Sequence, residues 1–226
     1  MSEPAVVFRD VVSAGASDWP GPLSFEVPEG AFCVVRTSIA LSTELTRLCV
    51  GLREPASGTV TTLGIEPGKL DRWEAQAFRR RLGVGFHEPA GLVSNLTLRM
   101  NLIVPLLYSG AAEMDVASVR AEGALSECGL AAWADVRPAD LPPDVRREAV
   151  VARAIVRDPD LLVLEEPVGP LRDERASWLL SRCRERAGTG IMTTTERDSI
   201  IYEFADMILL LDDKGLETTY HEVGTD

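Results

Sequence analysis

The 226-residue sequence has only two histidines and four cysteines. Cys33, Cys49, Cys128 and Cys183 form no C-x-x-C pair, and none stands near a histidine cluster. That spacing excludes a zinc site and a dithiol redox centre, and it suits thiols kept reduced in a cytosolic compartment. Long apolar runs are also missing. None approaches the ~20 residues that span a bilayer, and the opening Met1-Ser2-Glu3-Pro4 lacks the basic and apolar regions of a signal peptide. Positive charge is scarce: Lys plus Arg is 23 against 35 Asp plus Glu, a formal charge of −12. Nucleic acid and anionic membrane would both repel such a chain, so neither is expected as a direct partner. Any service to a membrane would run through another protein.

What is present suits one large domain, or two subdomains sharing a core. Ala5–Phe8 and Leu23–Val27 read as strands separated by the breaker Pro20-Gly21-Pro22. Ala31–Val35 is an apolar run fit for a buried parallel strand. Ser42–Leu52 has helical spacing through Leu45, Leu48, Cys49 and Leu52, and Thr59–Leu63 reads as a strand. From Leu98 to Leu130 the pattern is helical, interrupted at Tyr108–Ala112, and reads as an insertion. Helices at Asp144–Arg157, Leu171–Arg186 and Asp198–Phe204 then alternate with strands at Leu161–Leu164, Ile191–Thr194 and Met207–Leu211. That alternation predicts an α/β fold with a parallel sheet and right-handed crossovers.

Ala31–Leu52 places a buried strand, a loop and a helix in the order of a phosphate-binding loop. The working pattern G-x-x-x-x-G-K-[ST] uses glycines so that backbone N–H groups close on phosphate, a lysine against its charge, and a hydroxyl for Mg²⁺. Here the same length holds Arg36-Thr37-Ser38-Ile39-Ala40-Leu41-Ser42-Thr43. Only Thr43 keeps its chemistry. Leu41 is expected to stand where phosphate would sit, and Ser42 supplies no positive charge.

Ala152-Arg153-Ala154-Ile155-Val156-Arg157-Asp158-Pro159-Asp160-Leu161-Leu162-Val163-Leu164-Glu165-Glu166-Pro167 resembles the signature-helix-to-Walker-B stretch of ABC transporter ATPases. Ser57-Gly58-Thr59-Val60, Ser94-Asn95-Leu96-Thr97 with Asn101, and Ala205-Asp206 agree in register, so the resemblance covers essentially the whole chain. It implies a RecA-like P-loop NTPase core with an antiparallel β subdomain and an inserted helical subdomain. On that division residues 1–86 and 158–226 are the core with the β subdomain, and 87–157 the helical one.

The family's working residues carry over one position at a time. Its adenine-stacking aromatic falls near Ala14, which cannot stack, while the nearby Trp19 reads as packing. The glutamine that links Mg²⁺ and water to the membrane partner falls at His87, which can be read as a metal ligand, a base or a plain loop histidine. The signature L-S-G-G-Q reads Leu141-Pro142-Pro143-Asp144-Val145. Its prolines lack N–H donors, and Asp144 reads as the N-cap of the next helix. Walker B ends in Glu165-Glu166, with Glu166 at the general-base position and Glu165 one methylene longer than the usual Mg²⁺-sphere aspartate. Arg172 replaces an aspartate on the loop at the dimer seam, and the switch histidine that meets γ-phosphate is Glu196.

These positions define the candidate site: Arg36, Ser38, Ser42, Thr43, His87 and Glu196 toward nucleotide, Thr43 and Glu165 toward metal, and Glu166 as an idle base. The resemblance implies ATP and Mg²⁺, and the substitutions imply that both bind weakly or not at all. It also implies a membrane permease docked on His87–Tyr108, a dimer with itself or with a competent ABC ATPase, and a cytoplasmic place against the membrane's inner face. Leu98–Tyr108 is similar to the lipid-trafficking, Mce-type branch. The leading expectation is a catalytically deficient structural or regulatory subunit. Two others stay open: a slow ATPase using Arg36 for the lost lysine, and a binder of another ligand in an apolar loop.

Overall fold

The computed structural model describes residues 3–89, 91–108 and 112–220. Apolar runs of the central sheet become strands whose alternate side chains enter two different cores. In β3 (Phe32–Arg36), Cys33 and Val35 face one core while Phe32 and Val34 face the other. β6 (Leu161–Glu165) does the same with Leu161 and Val163 against Leu162 and Leu164. This is the burial expected of parallel strands covered on both faces.

Between β5 (Leu82–Gly85) and β9 (Gly215–Tyr220), the six-stranded sheet runs β5-β6-β7-β3-β8-β9, with β7 at Gly190–Thr194 and β8 at Met207–Asp212. All pairings are parallel except that of β9, which returns antiparallel along β8. A second, antiparallel sheet joins β1 (Val6–Val12), β2 (Leu23–Val27) and β4 (Ser57–Thr62) in the order β2-β1-β4. Its Phe8 and Phe25 rings stack with centroids 4.5 Å apart. Helix α1 (Ile39–Cys49) lies between the sheets and buries Leu41, Leu45, Leu48 and Cys49 in the first core.

The second core is closed by α5 (Pro143–Ile155) and α6 (Asp173–Arg186). A third belongs to α3 (Leu98–Tyr108), α4 (Met114–Glu127) and the other side of α5. Val151 and Ala154 of α5 face the sheet, whereas Ala149 and Val150 face α3 and α4. One helix therefore ties the helical layer to the strand that ends in Glu165.

Several sequence expectations shift. α1 begins at Ile39 rather than Ser42, because the Ser38 hydroxyl caps it and accepts from Leu41 N–H at 3.2 Å. Helix α5 begins at Pro143, so Asp144 is a first-turn residue and not the N-cap; Pro142 holds that place without a side-chain bond. Proline suits the first helical position, having the right φ and no N–H to lose. The helix expected at Asp198–Phe204 is a short 3₁₀ turn, Ile200–Phe204, capped by Ser199. The interruption expected at Tyr108–Ala112 falls mainly on residues 109–111, outside the described residues.

Three elements carried signals that pattern alone did not reveal. β5 is Leu82-Gly83-Val84-Gly85, so only two of its four residues carry a side chain. A β-carbon at Gly83 would stand 2.4 Å from the Ala154 carbonyl, so close contact with α5 requires glycine there. α2 (Arg72–Arg79) opens with a reciprocal capping box, Asp71 and Glu74 each accepting from the other's end of the turn. β9 follows a tight turn with Gly215 at φ +140°, a conformation open to glycine.

Candidate functional site

The carboxyl ends of β3, β6 and β7 converge on the first turn of α1, and four of the expected residues meet there. Thr43 Oγ1 donates to Glu165 Oε2 at 3.3 Å, and the His87 backbone N–H donates to the same oxygen at 2.9 Å. Glu165 is 2% exposed, and its Oε1 has no hydrogen-bond partner among the described residues. Glu166, also buried, accepts from Thr195 N–H at 2.5 Å and from Thr194 Oγ1 at 3.4 Å. Its φ of +48° is unfavourable for a residue with a β-carbon, a strain found chiefly at sites of function. Glu196 contributes backbone only: its N–H meets Thr194 Oγ1 and its carbonyl accepts from the Tyr202 hydroxyl.

The loop ahead of α1 is built differently from a phosphate cradle. Ser42 is 2% exposed, and its hydroxyl shares a 2.5 Å hydrogen bond with Thr193 Oγ1 of β7. Lys69 and Lys214 are the chain's only lysines, and neither lies in the loop. The Leu41 amide is already bonded to Ser38 Oγ, which also donates to Asp18 Oδ2. Leu41 does not stand in the mouth of the loop as expected: it packs into the first core at 1% exposure, and Ile39 stands outside at 46%. Arg36 and Arg197 line a cavity of about 470 Å³ with Thr37, Ser38 and three aspartates, Asp18, Asp212 and Asp213. Neither arginine's side chain has a hydrogen bond or ion pair among the described residues.

Two buried charged residues escaped sequence reasoning. Glu44, directly after Thr43, is 1% exposed; its carboxylate accepts from Ser13 Oγ and pairs with Arg53 at 3.1 Å. It fills the space beside Gly15, where a β-carbon would overlap it. Arg147 of α5 is 4% exposed, and its Nη1 donates to the Glu165 carbonyl at 3.2 Å. Nη2 lies 3.3 Å from His87 Nδ1. A signal existed for Arg147, since it precedes Val151 and Ala154 on the helical stripe that faces the sheet. Trp19 packs as expected: its ring lies on the first core and Nε1 donates to the Val11 carbonyl at 3.1 Å.

Among the described residues no three His, Cys, Asp or Glu side chains gather as a metal-holding group, and no helix is long and apolar enough to cross a membrane. The four cysteines are free and buried.

A parallel sheet whose β3–loop–α1 passage faces a carboxylate pair at the end of β6 is the scaffold of a P-loop NTPase cassette. Within that class the chain belongs to the ABC transporter family, whose family model matches residues 42–169. It is 29% identical over 221 residues to the methionine import ATP-binding protein MetN 2 of Paraburkholderia xenovorans, covering 93% of this chain and 57% of that protein. Against MetN 2 of Burkholderia mallei identity is 33% over 186 residues, covering 81% and 46%. Against the cell division ATP-binding protein FtsE of Haemophilus influenzae it is 28% over 193 residues, covering 84% and 88%. The chain thus spans about half the length of the methionine-import relatives. A dimeric bacterial ABC transporter cassette superposes with a TM-score of 0.84 at 20% identity, covering 95% of this chain and 98% of that one. The fold is therefore the ABC ATPase fold.

Proposed function

We propose that this ABC-type subunit does not hydrolyse ATP and serves as a structural or regulatory partner of a membrane permease complex. One observation carries the reading: at the lysine position stands Ser42, buried and bonded to Thr193 instead of free to meet a phosphate. Phosphoryl transfer depends on positioning and charge stabilisation, and removing a single such donor costs on the order of a hundredfold or more. The family as a whole binds ATP with Mg²⁺, but the residues present here do not fit that group. Leu41 N–H is spent on the Ser38 cap, Glu165 is already bonded to Thr43 and His87 N–H, and Glu166 is held by Thr194 and Thr195. Pro142 and Pro143 bring no donor to a site shared with a second subunit.

We divide the chain as the resemblance implies, with 87–157 the helical subdomain, and place the permease on His87–Tyr108 (residue 90 lies outside the described residues). A cleft of about 200 Å³ lined by Leu52, Phe86, Pro105 and Arg153 opens beside that stretch and supports the assignment. The reading puts the chain at the cytoplasmic face of a membrane, paired with itself or with a competent ABC ATPase. It names no cargo, because the likeness of Leu98–Tyr108 to the lipid-trafficking branch and the relatives' methionine-import names point to different ones. Calorimetry with ATP and Mg²⁺ into the low millimolar range should give no saturable heat; saturable binding would overturn the reading.

Arg36 favours a second reading, a slow ATPase in which its guanidinium replaces the lysine, since it lines the 470 Å³ cavity without an ion pair among the described residues. An ATP-dependent thermal shift that disappears in Arg36→Ala would support this reading. A shift that survives the substitution would count against it.

A further inference from the structure

We propose that Arg147 is the resident cation of this site, and that its guanidinium balances the Glu165–Glu166 pair in place of a divalent metal. The two carboxylates are 2% and 7% exposed, so neither can rely on water for its charge. No lysine and no metal-holding cluster stands beside them among the described residues. Arg147 is as buried as they are, and from the first turns of α5 its guanidinium reaches the Glu165 backbone carbonyl, beside the pair and in direct ion-pair contact with neither carboxylate. One arm of its fork is fixed on the Glu165 carbonyl and the other on His87 Nδ1. A guanidinium can only donate, so that second contact makes Nδ1 the acceptor and places the imidazole proton on Nε2.

The charges around Arg147 agree. Burial pulls it down from its ordinary value, while Glu88, Glu166 and Glu165 push it back up, in that order. Of these Glu88 already has a partner, Arg146 at 2.9 Å, so the charge left for Arg147 to balance is that of the two buried carboxylates. Glu165 Oε2 is satisfied by Thr43 and the His87 amide, but both donors are neutral. Oε1 has no hydrogen-bond partner among the described residues.

The consequence is that the end of β6, the His87 loop and α5 are held together without nucleotide or metal. In a site that depends on a divalent ion, the carboxylates repel one another until the ion arrives. Here the neutralising charge is covalently part of the chain, so the arrangement is present at all times. The inference goes beyond the lack of hydrolysis and is tested without nucleotide, so the two can fail separately.

The test combines thermal melting with Mn²⁺ titration followed by electron paramagnetic resonance. Wild type should melt at the same temperature in EDTA and in MnCl₂ and leave the free-Mn²⁺ signal intact. Arg147→Gln should lower the melting temperature by on the order of 10 °C. It should also gain saturable Mn²⁺ binding that raises the midpoint again. Arg147→Lys should recover most of the midpoint and show no Mn²⁺ binding. Combining Arg147→Gln with Glu165→Gln should melt above Arg147→Gln alone, because the uncompensated charge is gone. Saturable Mn²⁺ binding by wild type would overturn the proposal, as would an Arg147→Gln protein that melts like wild type or does not bind Mn²⁺. If Arg147→Gln does not fold, a folded Arg147→Gln/Glu165→Gln protein supports the assignment. A double variant that also fails to fold, beside a folded Arg147→Lys, overturns it.

Discussion

Two passages of chain face each other across the candidate site, one from β3 into α1 and the other from α5 into β6. The second reads almost as any ABC ATPase does, from Ala152 to Pro167, and nearly all of its apolar side chains are buried. The first holds Arg36, Leu41 and Ser42 where the G-x-x-x-x-G-K-[ST] pattern has glycine, glycine and lysine, yet it makes the same strand, loop and helix. Leu41, Leu45 and Leu48 still face the core, and Ser38 still caps the helix. Burial and capping therefore maintain the shape of the loop, while its chemistry depended on a different set of residues. Shape and site chemistry rest on different residues.

Four experiments would break or sharpen that contrast. Leu45→Ala, beneath the loop at 1% exposure, should cost about 2–5 kcal/mol in a urea melt, as much as any large-to-small change in the other passage. A cost under 1 kcal/mol would mean the loop no longer takes part in the core. Ser42→Lys restores the family's lysine but forces a long charged chain into the slot against Thr193. It should destabilise by about 1–3 kcal/mol and bring no ATP binding by calorimetry; recovered binding would show that charge alone had been missing. Ser38→Ala should cost about 1 kcal/mol through its cap, and an unchanged midpoint would assign the start of α1 to packing only. The smallest effect concerns thiols. Burial pushes Cys33 and Cys49 up to about 12 and Cys128 up to about 11, so all four cysteines should resist a thiol reagent at neutral pH until urea unfolds the chain. Rapid labelling of the native protein would show that one of the cores opens.

Much of the fold was legible because long apolar runs and helical stripes leave little choice. Phe32–Arg36 and Leu161–Glu165 could hardly be anything but buried strands. Elements whose reason lies in a neighbour were less visible. β5 is half glycine because α5 presses on it, which no window of its own residues reveals. The same holds for the site. The missing lysine and glycines at 36–43 could be read directly, since the family's pattern states what should be there. What replaced them could not, because Ser42 meets Thr193 across 151 positions and Glu44 meets Ser13 across 31. Arg147 looked like one more charged residue in Arg146-Arg147-Glu148, and only its place on the sheet-facing stripe of α5 set it apart.

Glu44 fastens the start of α1 to parts of the chain remote in sequence. Its carboxylate is claimed by Ser13 and Arg53 and lies against Gly15, so a small neutral residue there would remove that ion pair and open a gap under the β1–β2 connection. Ser42 is tied to Thr193 in the same way. Substituting either position alone therefore undoes a tie between distant parts of the chain, so the start of α1 is fastened from two sides at once.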